Sequence, residues 1–155
     1  AHGDTVTLGG VTLTAVHTPG HTKGCTTWTA TFEQDGKRLT AIFVGSTSVP
    51  DPVNYRLLDN PSYPTIAEDY ELTFERLKSL SPAPDLFLAA HGGFFDLEAK
   101  RARLARGEPA SEVFTEPAGY RAYLERSAAA FLEHLENAKI VAAREAQPPQ
   151  ARSER

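Results

Sequence analysis

The sequence predicts an α/β (α+β) fold in which a mixed, mostly antiparallel sheet carries helices on one face. Three observations support this fold class: strand-like alternation as far as Gly45, helical periodicity in the second half, and one short apolar strand between the helices. The order of strands, helix, strand, helix and helix favours about five strands under a single helical layer. The opposite face of that sheet has no predicted cover in this sequence, which indicates that a further layer is missing.

Two β-hairpins account for the first strands. The stretch DTVTLGGVTLTAVH alternates apolar residues with threonine on both sides of Gly9–Gly10. The stretch TTWTATFEQDGKRLTAIFVG does the same around Asp35–Gly36, a dipeptide typical of hairpin turns. From Ser46 to Pro64 the chain contains four prolines and no period, which predicts a loop, and a loop of that length in a compact domain is usually functional.

A helix is predicted over TIAEDYELTFERLKSL, since Thr65 and Glu68 have the spacing of a capping box. Its apolar face comprises Ile66, Tyr70, Phe74 and Leu77. The segment DLFLAA, from Asp85 to Ala90, is predicted as a short strand. After it, Asp96 is expected to cap a helix that runs to Arg106 and ends at Gly107.

The longest predicted helix has Pro117 in its first turn, where a proline is tolerated. Its buried stripe is expected to contain Tyr120, Leu124, Phe131 and Leu135. We therefore assign residues 1–145 to one domain. The polar tail 146–155, AQPPQARSER, is expected to be disordered.

The composition excludes several classes of function. The formal charge is −4 and no block of basic residues occurs, which argues against nucleic acid and anionic membranes as partners. No apolar run approaches the roughly 20 residues that cross a bilayer, and the first residues do not resemble a signal peptide. The single cysteine, Cys25, forms neither an intrachain disulfide nor a CxxC metal motif.

Histidines are the strongest candidates for chemistry. His17 and His21 lie four residues apart, but Pro19–Gly20 between them excludes a helix that would carry both. They stand where a strand ends, and a neutral histidine at a strand end is a common zinc donor. His91 also follows an apolar strand, and the active sites of α/β folds gather at the carboxyl ends of strands. An ordinary surface or core histidine is the competing interpretation for each.

The other reactive side chains fit structural roles better. Cys25 begins a strand, so a small, partly buried residue is favoured over a nucleophile. His2 and His134 are interpreted as solvated. The carboxylates of the first helix form its solvated face: Glu68, Asp69 and Glu71. No GxSxG elbow, P-loop or GxGxxG motif occurs.

Several segments together resemble the third zinc-dependent subclass of the metallo-β-lactamases, from about Asp4 to about Leu135. They are HTPGHTKGCTTWT, VGSTSVP, YRLLDNPSYPTIAEDYELTFERLKSL, FLAAHGGFFDLEAK and EPAGYRAYLERSAAAF. The GHT-x-G motif, together with a later histidine at a strand end, resembles the pattern of the wider metallo-β-lactamase fold superfamily. Other hydrolases of that superfamily, such as glyoxalase II, carry a metal-bridging aspartate where this chain has Ser46. A serine there, with Ser48 two residues on, resembles the third β-lactamase subclass.

The resemblance implies an αββα sandwich with two Zn²⁺ ions between its sheets. His21 matches the third histidine ligand of the first zinc, and His91 matches the histidine ligand of the second. Ser46 and Ser48 match residues near the second zinc that contact water and the substrate carboxylate. His17 matches no ligand, and no catalytic residue is implied beyond the metal ligands.

The implied activity is zinc-dependent hydrolysis of β-lactam antibiotics, hence antibiotic resistance, by a periplasmic or secreted enzyme. The family's HxHxDH motif, which supplies the other four ligands, does not occur in this sequence. We therefore expect a C-terminal half with an incomplete zinc site, inactive by itself. Its expected partners are the β-lactam substrate and either the missing N-terminal half or a second copy of the chain. The alternatives are a thioester or lactone hydrolase of the same superfamily, or a non-catalytic fragment that self-associates.

Overall fold

The computed structural model describes residues 1–50 and 55–146 and contains one five-stranded sheet. The strands lie side by side in chain order: β1 Thr5–Leu8, β2 Val11–His17, β3 Thr26–Gln34, β4 Lys37–Val44 and β5 Leu86–Ala89. The first four are antiparallel to their neighbours, and β5 pairs with β4 in parallel. The predicted mixed sheet of about five strands is confirmed.

Both predicted hairpin turns are present. Gly9 and Gly10 join β1 to β2 with φ values of +57° and +81°. Asp35 and Gly36 join β3 to β4 with φ values of +52° and +72°. Positive φ at both central residues is the geometry of the tight turn whose twist matches that of the flanking strands.

The helices follow the predicted order with one addition. They are α1 Ile66–Lys78, α2 Leu97–Ala105, α3 Ala110–Phe114 and α4 Pro117–Glu145, with a short 3₁₀ turn at Gly92–Phe95 before α2. The predicted stripes of α1 and α4 are buried throughout. The added helix, α3, has five residues, which is too short to show a helical period in the sequence. Beyond Ala146, the predicted tail lies outside the described residues, so the domain limits stay a prediction.

Two capping predictions are wrong. Thr65 precedes α1 without a side-chain cap, and its Oγ1 instead donates to Asp69 Oδ2 at 3.1 Å. Asp96 precedes α2 in the left-handed conformation, with φ +54° and ψ +43°, and also makes no side-chain cap. A capping side chain reaches the free backbone N–H groups from an extended backbone, and neither residue has one.

One face of the sheet packs against α1 and α4. Ile42, Val44 and Phe87 point into this layer and are almost fully buried. The helices supply Leu77, Tyr120, Tyr123 and Leu124 to the same core cluster. A second cluster, which includes Tyr70 and Phe131, joins α1 to α4 beside the sheet. Within residues 1–50 and 55–146 no helix is long and apolar enough to span a membrane.

The other face of the sheet is apolar and partly exposed. The register places Trp28 beside Phe43 and Phe43 beside Leu88, so these side chains share a face, because successive residues of a strand alternate. Phe43 is 38% exposed, and Leu8 on the same face is 84% exposed. An open hollow of about 730 Å³ lies on this face against Trp28 and Val6. The sheet face without cover is thus as the sequence predicted, and an exposed apolar patch of this kind is typical of interaction surfaces.

Lys100 on α2 is buried and joins two parts of the helical layer. Its Nζ donates to the carbonyl of Phe95 at 3.0 Å and to Glu116 Oε2 at 2.5 Å. Glu116, just before α4, keeps 45% of its side chain exposed, whereas Lys100 keeps 4%. The ammonium therefore holds the turn that follows His91 against the start of α4.

Substituting Lys100→Met should lower the free energy of unfolding by about 1–3 kcal/mol, because the buried Phe95 carbonyl loses its donor. The matched control is Arg101→Met, which removes a pair to Glu98 from a side chain that is 67% exposed. That change should stay within about 0.5 kcal/mol. Urea unfolding at equal m values measures both. Equal losses in the two variants would contradict a structural role for Lys100.

Candidate metal centre

The topology gathers three loops at one end of the sheet. Strand β3 is antiparallel to both β2 and β4, and β5 is parallel to β4, so β2, β4 and β5 share a direction. His21 follows the carboxyl end of β2, Ser46 and Ser48 follow that of β4, and His91 follows that of β5. The four predicted site residues thus leave the sheet at the same end, which is where such folds place active sites.

The loop between β2 and β3 is closed tightly before and after His21. The backbone N–H of Thr18 donates to the Cys25 carbonyl at 2.9 Å, and the Thr18 hydroxyl lies 3.0 Å from that of Thr27. Gly20 has a φ of +128°, and a Cβ built on it would lie 2.7 Å from Cγ of Tyr70. Only glycine combines that dihedral angle with such a close approach to a ring.

His21 has a defined hydrogen-bonding side. Its Nδ1 lies 2.9 Å from the carbonyl oxygen of Ser48 and 3.4 Å from the Ser48 hydroxyl. A carbonyl only accepts, so Nδ1 of the neutral ring carries the proton and donates it. Nε2 then keeps its lone pair, which is the arrangement that prepares a histidine for a metal.

The segment after β4 is held by hydrogen bonds to the β2–β3 loop on one side and to α4 on the other. The hydroxyls of Ser46 and Ser48 lie 2.9 Å apart, and the Cys25 thiol donates to the Ser46 carbonyl at 3.5 Å. Between the serines, the Thr47 hydroxyl lies 2.7 Å from that of Tyr123 on α4. Ser46 is buried, whereas Ser48 is half-buried. Of the two serines, Ser48 has the more accessible side chain.

The remaining histidines differ in their surroundings. His91 is exposed, and its ring meets that of Phe94 edge-on with 5.2 Å between centroids. His17 turns its Nε2 to the Lys23 carbonyl at 2.8 Å, a contact inside the loop. The structure therefore gives His17 a local structural contact.

These side chains fit only part of a metal site. Nε2 of His21 and the exposed ring of His91 are suitable donors for zinc. Among the residues that the structure describes, no group of three or more His, Cys, Asp or Glu side chains could hold a metal. A catalytic zinc ordinarily has three protein ligands. The roles assigned to His21, His91, Ser46 and Ser48 stay predictions.

Sequence reasoning missed a set of donors on α1. Tyr70 was predicted only as part of the apolar face and Thr73 had no predicted role. The Tyr70 hydroxyl donates to the Ser48 carbonyl at 2.7 Å, and that of Thr73 donates to the Pro19 carbonyl at 2.6 Å. Arg76 Nη1 donates to the His17 carbonyl at 2.7 Å. Burial raises the pKa of Tyr70 far above its usual value, so its hydroxyl remains a donor. The signal available in the sequence was the spacing of three residues between two hydroxyl side chains, Tyr70 and Thr73, on the helix that carries the apolar face.

Comparison with known proteins finds similar solved structures of one kind. No protein-family model matches the chain. The native FEZ-1 metallo-β-lactamase from Legionella gormanii is 42% identical with a TM-score of 0.81, over 88% of this chain and 50% of that one. A metallo-β-lactamase from Cronobacter sakazakii with an HARLDQ motif is 40% identical with a TM-score of 0.79, over 90% of this chain and 50% of that one.

BJP-1, a subclass B3 metallo-β-lactamase of Bradyrhizobium japonicum, is 33% identical with a TM-score of 0.79, over 91% of this chain and 51% of that one. The chain therefore spans about half the length of the structures that it matches, as expected of the C-terminal half of such a protein. At these identities and over nearly the whole of its own length, the chain is similar to one half of metallo-β-lactamases, among them the subclass B3 protein BJP-1.

Proposed function

We propose that this chain contributes one half of a zinc-dependent hydrolase of β-lactam antibiotics. The observation that carries the proposal is the contact of His21 Nδ1 with the Ser48 carbonyl, which leaves Nε2 free to bind a metal. The metallo-β-lactamase relatives support the reaction class. His91, at the same end of the sheet, is the second donor in the proposal.

The residues of this chain would act mainly by holding and orienting. When bound, zinc supplies a Lewis acid that makes water nucleophilic near neutral pH. His21 and His91 would each contribute one ligand. Ser48 would donate a hydrogen bond to a substrate carboxylate, since its hydroxyl is partly accessible, and the buried Ser46 would fix the direction of that hydroxyl at 2.9 Å.

The remaining ligands must come from outside the described residues. We propose that the other half of the family domain packs on the apolar sheet face that carries Trp28, Phe43 and Leu88. In this proposal, that half supplies the remaining metal ligands. Burial of that face would stabilise the assembly through the hydrophobic effect. A periplasmic or secreted location is part of the same proposal.

The test uses this chain and a chimaera. The chimaera joins the half of the Legionella gormanii enzyme that this chain does not cover to the 155-residue chain. The chain alone should hydrolyse the chromogenic β-lactam nitrocefin at background rate, because two histidines do not complete a catalytic site. The chimaera should hydrolyse it, lose activity in EDTA and regain activity when zinc is restored.

Two outcomes would contradict the proposal. Zinc-dependent turnover by the chain alone at the rate of the chimaera would show that the site is complete without the other half. A folded, zinc-loaded chimaera that cleaves thioesters or lactones but no β-lactam would favour the alternative hydrolase.

Self-association is the second candidate, and the exposed apolar face favours it. Light scattering of the chain alone separates the two interpretations when it is compared with the chimaera. A dimer of the chain that persists in the chimaera would favour a self-associating fragment. A dimer that disappears in the chimaera would indicate that the added half covers the same face.

A further inference from the structure

Helix α1 holds the backbone on both sides of His21. Tyr70, Thr73 and Arg76 follow one another at intervals of three residues and therefore share one side of the helix. Their side chains donate to the carbonyls of Ser48, Pro19 and His17 respectively. Tyr70 and Thr73 are completely buried, so water does not replace these hydrogen bonds.

Tyr70 acts on His21 through two contacts, one with the loop between β2 and β3 and one with Ser48. Its ring lies against Gly20, the residue before His21, so closely that a Cβ there would be 2.7 Å from Cγ. Its hydroxyl donates to the Ser48 carbonyl at 2.7 Å, the oxygen that also accepts from His21 Nδ1 at 2.9 Å. The ring is fixed from behind by Phe131 of α4, which stacks on it with 5.2 Å between centroids.

We propose that Tyr70 is a positioning residue that selects the tautomer of His21 through the shared Ser48 carbonyl. The inference rests on the proposed function for its purpose, because the tautomer decides which ring nitrogen can bind zinc. It concerns only residues of this chain, so it can be tested without the other half.

The selection of the His21 tautomer follows from the number of hydrogen bonds that the Ser48 carbonyl oxygen can accept. A carbonyl oxygen has two lone pairs, and Tyr70 and His21 occupy one each. With the Tyr70 hydroxyl in place, the Ser48 peptide presents its second lone pair to Nδ1. Without it, the peptide is free to turn toward another donor. A neutral histidine side chain in water prefers its proton on Nε2, so the His21 ring would then shift toward the tautomer whose Nε2 cannot bind a metal.

The experiment measures ring ¹⁵N shifts of His21 by long-range ¹H–¹⁵N NMR on the 155-residue chain, at a pH where histidine is neutral. A His21→Gln variant assigns the signals. The test variant Tyr70→Phe keeps the ring and removes the hydroxyl. The matched control is Tyr120→Phe, because Tyr120 is also buried and its hydroxyl donates to the Leu77 carbonyl at 2.8 Å, in the other core cluster.

We expect the Nδ1–H tautomer in the unsubstituted chain and about a fivefold shift of the tautomer ratio toward Nε2–H in Tyr70→Phe. That is the change produced by loss of one hydrogen bond of ordinary net strength. Tyr120→Phe should leave the ratio unchanged even where it lowers stability. An Nε2–H tautomer in the unsubstituted chain, or the same ratio in a folded Tyr70→Phe, would overturn the proposal.

A second substitution keeps the proposal testable if Tyr70→Phe does not fold. Incorporation of 3-fluorotyrosine at position 70 retains the hydroxyl and makes it a stronger donor. The stronger donor should hold the Ser48 peptide more firmly in place for His21, so the His21 Nδ1 proton should move downfield, whereas 3-fluorotyrosine at position 120 should not move it. An unmoved proton would overturn the proposal. A chimaera without hydrolysis would contradict the proposed function and leave this result standing.

Discussion

Replacing His21 with alanine is expected to lower kcat/KM for nitrocefin in the chimaera by more than about 100-fold. Loss of a residue that only supports a metal ligand costs about 10–100-fold in metal affinity or activity, and loss of the ligand itself should cost more. Zinc content per chain should fall with activity, because the remaining ligands bind the metal less well. Steady-state kinetics and elemental analysis on the same preparation measure both quantities.

His17→Ala is the matched control, since it removes the same side chain four residues earlier in the loop. The His17 ring contacts the Lys23 carbonyl, and His17 is not predicted to be a metal ligand. Its removal should leave both zinc content and kcat/KM within a few-fold of the starting values. Equal losses in the two variants would show that the loop as a whole is needed, and would remove the case for His21 as a ligand.

Much of the fold follows from local patterns. The alternation around Gly9–Gly10 and Asp35–Gly36 was sufficient for both hairpins, because the side chains of a strand point alternately to the two faces. The order of the elements, with a single helical layer, also predicted the sheet face without cover. Phe43 and Ile42 are neighbours in the chain, yet the first is 38% exposed and the second is fully buried against the helices.

The details of the site depend on contacts that no local pattern encodes. The bond from Tyr70 to the Ser48 carbonyl spans 22 residues, and the intervening loop has no period from which its path could be derived. Tyr70 fits the apolar stripe of α1 equally well with or without that bond. Thr65 and Asp96 failed as caps for a related reason, since capping depends on backbone dihedral angles that residue type alone does not determine.

Substituting Gly20→Ala is expected to lower the free energy of unfolding by about 2–6 kcal/mol. A φ of +128° lies beyond the left-handed helical region that other residues occasionally adopt, so the backbone must rearrange at a cost of about 1–3 kcal/mol. The new methyl group would also lie 2.7 Å from Cγ of Tyr70, and overpacking of a filled core costs about 1–3 kcal/mol. Urea denaturation measures the sum.

Gly36→Ala separates these two contributions. Gly36 has a φ of +72° in the β3–β4 turn, and a Cβ there would meet nothing within 4 Å. Its alanine variant should therefore lose only the backbone part, about 1–2 kcal/mol. If Gly20→Ala lowers the free energy of unfolding no more than Gly36→Ala does, the Tyr70 ring moves away from the new methyl group at no energetic cost. Its contact with the loop would then be too soft to hold His21, and the tautomer would depend on the hydroxyl of Tyr70 alone.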